Sequence, residues 1–181
     1  MYDIFSLSDF KFPKDFLWGS ATAGHQIEGN NIHSGHWKRE LARPKDPTGI
    51  YVPSGMACNH YNMVDEDIAI METLSMQVYR MSVEWSRIEP SEGEFSKEAI
   101  DHYLYELEAL KKRGIKICLT LVHFVLPLWF EEKGGMNTPE NLSYFERYLK
   151  KVVPIFAPYV DMWTVLNEFN CGTSIEACKN K

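Results

Sequence analysis

No stretch of this sequence approaches the roughly 18 to 20 consecutive apolar residues that span a bilayer. The opening run Met1-Tyr2-Asp3-Ile4-Phe5-Ser6-Leu7-Ser8-Asp9-Phe10-Lys11 also lacks the basic-then-apolar layout of a secretion signal. A cytoplasmic protein is therefore expected. Basic residues are scarce: 19 Lys and Arg against 25 Asp and Glu leave a net charge of −6 with no basic cluster. That balance argues against nucleic acid or an anionic membrane as partner, because a basic patch supplies most of that attraction. The four cysteines, Cys58, Cys118, Cys171 and Cys178, include no Cys-x-x-Cys pair, so neither a zinc site nor a disulfide framework is indicated and reduced thiols are expected. No Gly-x-Gly-x-x-Gly turn and no Walker-type phosphate loop occur, which weakens any dinucleotide or nucleotide reading.

What is present fits one soluble globular unit: 181 residues, 45% hydrophobic and 24% charged. Aromatics reach 13%, an excess that serves either core packing or stacking against flat apolar faces such as sugar rings. Phe16 to Ala21 reads as a buried strand, followed by a long Gly/Asn/Pro-rich loop to Pro53. Val64, Ile68, Met71 and Leu74 form the stripe of an amphipathic helix whose acidic first turn suits the helix dipole. A strand follows over Val78–Val83. Ser96 can then cap a helix with Ile100, Tyr103, Leu104, Leu107 and Leu110 on one face and Gly114 just past its end. Ile115–Val122 is a third strand. Phe145, Tyr148, Leu149, Val152, Val153 and Phe156 mark a third helix ending near Pro158, and Met162–Leu166 a fourth strand.

Strands and helices thus alternate as β-α-β-α-β-α-β, with strands apolar on both faces, and the fold class is α/β with a helix-covered parallel sheet. Periodicity alone leaves open whether the sheet is doubly wound or part of a barrel. In either case functional side chains gather at the carboxyl ends of the strands, where the loops converge. The candidates are Gln26 with His25 and Glu28, then Arg80, His123, and the pair Asn167-Glu168.

Two readings of each candidate stand on the residues alone. Glu168 is either a solvated strand-end carboxylate or a general acid, desolvated beside an aromatic strand so that its pKa rises toward neutrality. Arg80, in an apolar strand, needs a carboxylate or several acceptors as partners. It serves either a structural ion pair or a second catalytic carboxylate that it keeps ionised. His123 is a satisfied core histidine or a ligand for a sugar hydroxyl; no second His or Cys stands at metal-ligand spacing. Asn167 ends its strand as a turn residue or offers an amide to a substrate hydroxyl. Gln26 is a loop residue or makes a two-sided contact to adjacent hydroxyls. Trp18, Trp37, Trp85, Trp129 and Trp163 fall near strand ends, as sugar platforms or as core. The Asn141-Leu142-Ser143 sequon, without a secretion signal, is read as coincidental.

From about Phe12 to Asn170 the sequence resembles glycoside hydrolase family 1, the β-glucosidases and their relatives. Four segments carry the resemblance. Phe12-Pro13-Lys14-Asp15-Phe16-Leu17-Trp18-Gly19-Ser20-Ala21-Thr22-Ala23 with Gln26-Ile27-Glu28-Gly29 is similar to the family's amino-terminal signature, whose Gln contacts the glycone. Tyr79-Arg80-Met81-Ser82-Val83-Glu84-Trp85-Ser86-Arg87-Ile88 with Pro90 resembles the second-strand motif, whose Arg lies beside the nucleophile. Leu119-Thr120-Leu121-Val122-His123-Phe124 with Leu126-Pro127-Leu128-Trp129 resembles the third-strand motif, whose His binds sugar hydroxyls. Trp163-Thr164-Val165-Leu166-Asn167-Glu168 resembles the fourth-strand motif, in which Glu is the acid/base and Asn binds the 2-hydroxyl.

The resemblance implies the first half of a TIM (β/α)8 barrel, with four parallel strands and three intervening helices, and retaining hydrolysis of β-linked glycosides without metal or organic cofactor. It makes residues 1–170 a partial catalytic domain and 171–181 a short tail without recognisable structure. Departures from the pattern are Phe124 where Trp is usual beside the His, which removes an indole N–H from the glycone contact, Met136 after Gly134-Gly135, and Phe169 after the acid/base. The family's nucleophile lies on the seventh strand in a Thr-Glu-Asn-Gly motif, and that motif does not occur here. The isolated chain is therefore expected to be inactive. Four strands leave open edges and half an apolar barrel interior facing water, which implies aggregation, self-association or pairing with a carboxyl-terminal half-barrel. The alternative is a non-catalytic carbohydrate-binding or interaction fragment that keeps Gln26, His123 and Asn167.

Overall fold

A computed structural model describes residues 11–43 and 52–169. The expected tail at 171–181, with Cys171 and Cys178, lies outside the described residues, as does the middle of the loop running to Pro53. Four strands, β1 (Gly19–Ala21), β2 (Val78–Ser82), β3 (Lys116–Val122) and β4 (Met162–Leu166), form one sheet in the order β1-β2-β3-β4. All three pairings are parallel, with Ala21 opposite Arg80, Arg80 opposite Cys118, and Thr120 opposite Thr164. Each strand lies beside the next, and each return passes through a helix.

The three crossover helices are those the periodicity predicts: α3 (Val64–Thr73), α5 (Lys97–Lys112) and α7 (Leu142–Phe156). In α5 the Ser96 hydroxyl accepts from Ala99 N–H at 3.1 Å, satisfying an otherwise orphaned donor. Its other end closes as a Schellman motif. Gly114, at φ 73°, donates to Lys111 O and Ile115 donates to Leu110 O, a left-handed turn that glycine makes without strain. The buried stripe Ile100, Tyr103, Leu107 and Leu110 meets Tyr79 and Met81 of β2 and Ile117, Leu119 and Leu121 of β3 in one core.

Short helices occupy the loops: α1 (Gly24–Ile27) and α2 (Gly35–Ala42) before α3, α4 (Trp85–Ile88) after β2, and α6 (Leu128–Glu132) after β3. The Gly/Asn-rich stretch expected to be loop thus contains two of them. Ser34 caps α2, its hydroxyl accepting from Trp37 N–H, a signal that the surrounding glycines and prolines hide.

Other expectations are corrected. The first strand is three residues rather than six, and Phe16 and Trp18 before it are 41% and 56% exposed. Gly19 fixes its position, since a Cβ there would lie 1.8 Å from Val78 O. Leu74, read as part of the α3 stripe, lies past the helix end and is exposed. The strands are not apolar throughout on both faces. By the alternation of a strand and the register, the face away from the helices carries Val78, Arg80 and Ser82 of β2, Lys116, Cys118, Thr120 and Val122 of β3, and Met162, Thr164 and Leu166 of β4. That face is mixed, with Val78, Val122, Met162 and Leu166 set among polar side chains. Apolar groups are also exposed at the two margins of the sheet: Phe16 and Trp18 beside β1, and Met162, Trp163 and Val165 on β4.

Among the described residues no helix is long and apolar enough to cross a membrane, and no group of three or more side chains is arranged to hold a metal ion.

Candidate active site

The carboxyl ends of β2, β3 and β4 bring Arg80, His123 and Asn167-Glu168 together. Arg80 stands opposite Cys118, so its side chain rises on the face away from the helices toward the β3 and β4 ends. Its Nε donates to Thr120 Oγ1 at 3.1 Å and its Nη2 to Asn167 Oδ1 at 2.6 Å. Among the described residues no carboxylate pairs with it. Two neutral acceptors hold the guanidinium and, among the described residues, leave Nη1 for a further partner. Thr120, which sequence reasoning did not single out, is fully buried and fixes the guanidinium plane.

Asn167 extends the β3–β4 ladder, donating its backbone N–H to Val122 O at 2.9 Å. Because its Oδ1 accepts from Arg80, its amide N–H groups are what remains for a substrate oxygen. Glu168 then turns out of the strand in the left-handed region, at φ 47°. It is exposed. Among the described residues nothing buries it, so the burial expected of it is not seen there.

His123 ends β3 half-buried, with Nδ1 shielded from solvent and no hydrogen-bond partner. A satisfied core histidine is therefore not what the structure contains. Burial, and then the Arg80 charge, hold His123 below its ordinary pKa, against an opposite pull from Glu168. The carboxyl ends of β2, β3 and β4 put the three groups on one rim. Phe124 follows in the left-handed region at φ 65°, 46% exposed, its ring edge-on to His123 at 5.1 Å. The chain then pairs back on the first loop, where Gly35 N–H donates to Leu126 O and Leu128 N–H to His33 O.

Gln26 is on the rim of β1, exposed, on α1. No hydrogen bond joins it to the Arg80 group among the described residues. What holds it is a buried polar network that the sequence reading did not assemble. Gly24 N–H donates to Ser82 Oγ at 2.7 Å and His25 N–H to Glu84 Oε1 at 3.1 Å. Asn31 Nδ2 donates to Glu84 Oε2, and Glu28 takes Arg87 Nε at 2.6 Å and the Tyr103 hydroxyl at 3.0 Å. Burial raises Glu28 to about 7 even against Arg87, and burial with the Glu28 charge raises Glu84 to about 8. Arg87 and Tyr103 keep Glu28 the more acidic of the two. Beneath them His60 bridges Asp67 (2.6 Å) and Glu106 (2.9 Å); burial would depress it, but the two carboxylates outweigh burial and raise it to about 9. The available signal was a charged residue inside an apolar run, Val83-Glu84-Trp85, which demands a partner.

The tryptophans divide differently from the sugar-platform reading. Trp85 is core, stacked on Tyr148 with ring centroids 4.7 Å apart. Trp129 donates Nε1 to Glu89 O. Trp18 clusters with Phe12 and Phe16 at the amino end of β1, opposite the rim. The sequon's Asn141 is buried, its amide donating to Lys133 O and Gly135 O.

A parallel sheet wrapped by helices, with Arg, His, Asn and Glu on its carboxyl rim, defines a half-barrel of the glycosidase type. The model of glycosyl hydrolase family 1 matches residues 8–178, and the chain belongs to that family. It is 34% identical over 167 residues to beta-glucosidase A of Acetivibrio thermocellus, covering 90% of this chain and 37% of that one. Among solved structures it is similar to a beta-glycosidase from Pyrococcus horikoshii, with a TM-score of 0.79 and 41% identity over 87% of this chain and 36% of the other. It is equally similar to the beta-glucosidase from Thermotoga maritima in complex with deoxynojirimycin, with a TM-score of 0.79 and 35% identity over 87% of this chain and 37% of that one. The chain thus spans little more than a third of the length of these relatives, and its fold is that of their amino-terminal half-barrel.

Proposed function

We propose that this chain carries the acid/base half of a retaining β-glycosidase acting on O-linked β-glycosides, with Glu168 as proton donor. The observation that carries this reading is the convergence of Arg80, Asn167, His123 and Glu168 on one rim, with Arg80 bonded to Asn167 and His123 under the influence of both charges. In this account Glu168 protonates the glycosidic oxygen as the aglycone leaves and afterwards takes a proton from the attacking water. Asn167, with its acceptor occupied by Arg80, donates to the sugar 2-hydroxyl. The His123 ring and the Gln26 amide take further hydroxyls, and Phe124 offers a ring face.

Retaining chemistry needs a second carboxylate roughly 5 to 5.5 Å from the first. We assign it to a carboxyl-terminal half-barrel that pairs along β1 and β4 and meets Arg80 through Nη1. The apolar side chains exposed at the two margins of the sheet support such pairing. Residues 1–170 are then a partial catalytic domain, no metal or cofactor takes part, and the 181-residue chain alone is inactive. Assay of the purified chain with an aryl β-glucoside tests this: absence of turnover is expected, and turnover abolished by Glu168→Gln would overturn it. Calorimetry with glucose on Asn167→Ala and His123→Ala chains identifies a purely binding fragment, if affinity depends on both residues while no complementing half restores turnover.

A further inference from the structure

The turn that leaves β3 is strained where it enters the candidate site. Val125 N–H donates to His123 O at 2.8 Å, closing a three-residue turn around Phe124, whose φ of 65° a bulky side chain takes only at a cost. Burial does little to offset that cost: Phe124 is 46% exposed, Val125 beside it 5%. The Phe124 ring stands edge-on to His123, centroids 5.1 Å apart. Strain of this kind persists only where the surrounding structure over-determines it.

The surrounding structure here is the loop after β1. Gly35 N–H donates to Leu126 O at 3.0 Å and Leu128 N–H to His33 O at 2.8 Å, on either side of an antiparallel bridge between Ser34 and Pro127. The chain is thus held two residues past Phe124 by a segment that is itself fixed. Ser34 is fully buried, its hydroxyl donating to Asn31 O at 2.9 Å and accepting from Trp37 N–H at 3.1 Å. Asn31 is bonded in turn to Glu84 and Ser86. Lys38 with Glu132 and Arg39 with Glu131 also tie α2 to α6, but both cations are more than half exposed, and such pairs hold weakly. The backbone bonds are the firm part. Gly35 opens α2, where an N–H has no partner within the helix, so its donor is spare for Leu126.

We propose that Gly35 is a positioning residue for His123 and Phe124: through its N–H, the loop after β1 holds the turn after β3 in the strained form that sets the Phe124 ring against His123. The use of that geometry in sugar binding rests on the reading of His123 and Phe124 as sugar contacts; the coupling between the two loops does not.

NMR on the full chain without any sugar tests the coupling alone, so that it and the sugar-binding reading fail separately. In the unaltered protein the Gly35 amide should exchange with solvent about tenfold or more below its intrinsic rate. Gly35→Pro then deletes the donor, and proline suits the first helical position after an extended Ser34 at ψ 150°. Gly35→Ala keeps the donor and only displaces the Glu131 carboxylate, into which its Cβ would run. The His123 ring protons, which feel the ring current of Phe124, should shift in Gly35→Pro and in Phe124→Leu but not in Gly35→Ala. Urea midpoints read the strain. Phe124→Gly, free to adopt a φ of 65°, should unfold at higher urea than Phe124→Ala, and that advantage should shrink once Gly35→Pro is added. A Gly35 amide that exchanges at its intrinsic rate, His123 shifts that ignore Gly35→Pro, or equal midpoints for Gly and Ala at position 124 would overturn the proposal. If Gly35→Pro fails to fold, the amide exchange and the two Phe124 variants still decide.

Discussion

Thr120 shows how much of the rim depends on one buried hydroxyl. It accepts from Arg80 Nε while Asn167 accepts from Nη2, so the guanidinium cannot rotate without breaking a charge-assisted bond. Thr120→Val keeps the shape and removes the acceptor; we expect a loss of about 1 kcal/mol of stability by urea denaturation, together with changed side-chain amide shifts of Asn167 in NMR spectra. Unchanged Asn167 shifts would mean that Arg80 does not need the hydroxyl. Gly19→Ala acts on backbone instead. The added methyl would sit on Val78 O, and the cost should reach or exceed the ~1–3 kcal/mol usual for overpacking, read in the same denaturation experiment. The site candidates were legible in the sequence because strand-end polar residues stand out against apolar runs. Thr120 was not, since a threonine inside a strand is ordinary until the Arg80 of the neighbouring strand is placed beside it. Arg80 announced a need for acceptors but not which ones.

The helices that cross over the sheet were legible for a physical reason: each carries an apolar stripe at helical spacing that must meet the sheet, and α5 also carries its cap and its terminating glycine in the chain. Ser96→Ala should cost about 1 kcal/mol, measured by thermal or urea unfolding; a cost near zero would mean the cap adds nothing beyond solvent. The short helices escaped because their face is not set by periodicity. Four residues of α1 are held by Ser82, Glu84 and Glu28, groups drawn from distant segments or from just beyond the turn. The first strand was overread for the opposite reason. Phe16, Leu17 and Trp18 are as apolar as any strand, but pairing with β2 covers only the three residues that follow. Interior and edge residues look alike until the neighbouring strand is placed.

Across the whole molecule, buried ionisable groups set the response to pH. His60 is raised from 6.5 to about 9, so its contribution is fully present below 6.5 and is lost as pH rises through 9. Glu28 and Glu84 are raised from 4.5 to about 7 and about 8, so the unfolded chain releases these protons first and stability again falls with rising pH. All three act in the same direction between pH 6.5 and 9. Thermal melts should therefore show a lower midpoint at pH 9 than at pH 6.5, and a flat or rising midpoint would contradict the assignment of these charges. The resemblance to a barrel was legible in motif order, while the mixed polarity of the face opposite the helices was not, because it follows from register between strands.

The central claim is that Glu168 is a proton donor completed by a carboxyl-terminal half-barrel. The most direct measurement replaces the matching amino-terminal part of the Thermotoga maritima beta-glucosidase with residues 1–170 of this chain and follows hydrolysis of an aryl β-glucoside. The chimaera should turn over. Its Glu168→Ala form should lose most activity on substrates with poor leaving groups, and azide, which needs no general base, should restore turnover and yield the β-glucosyl azide. A chimaera that keeps full activity without Glu168, or whose loss azide does not relieve, would contradict the account.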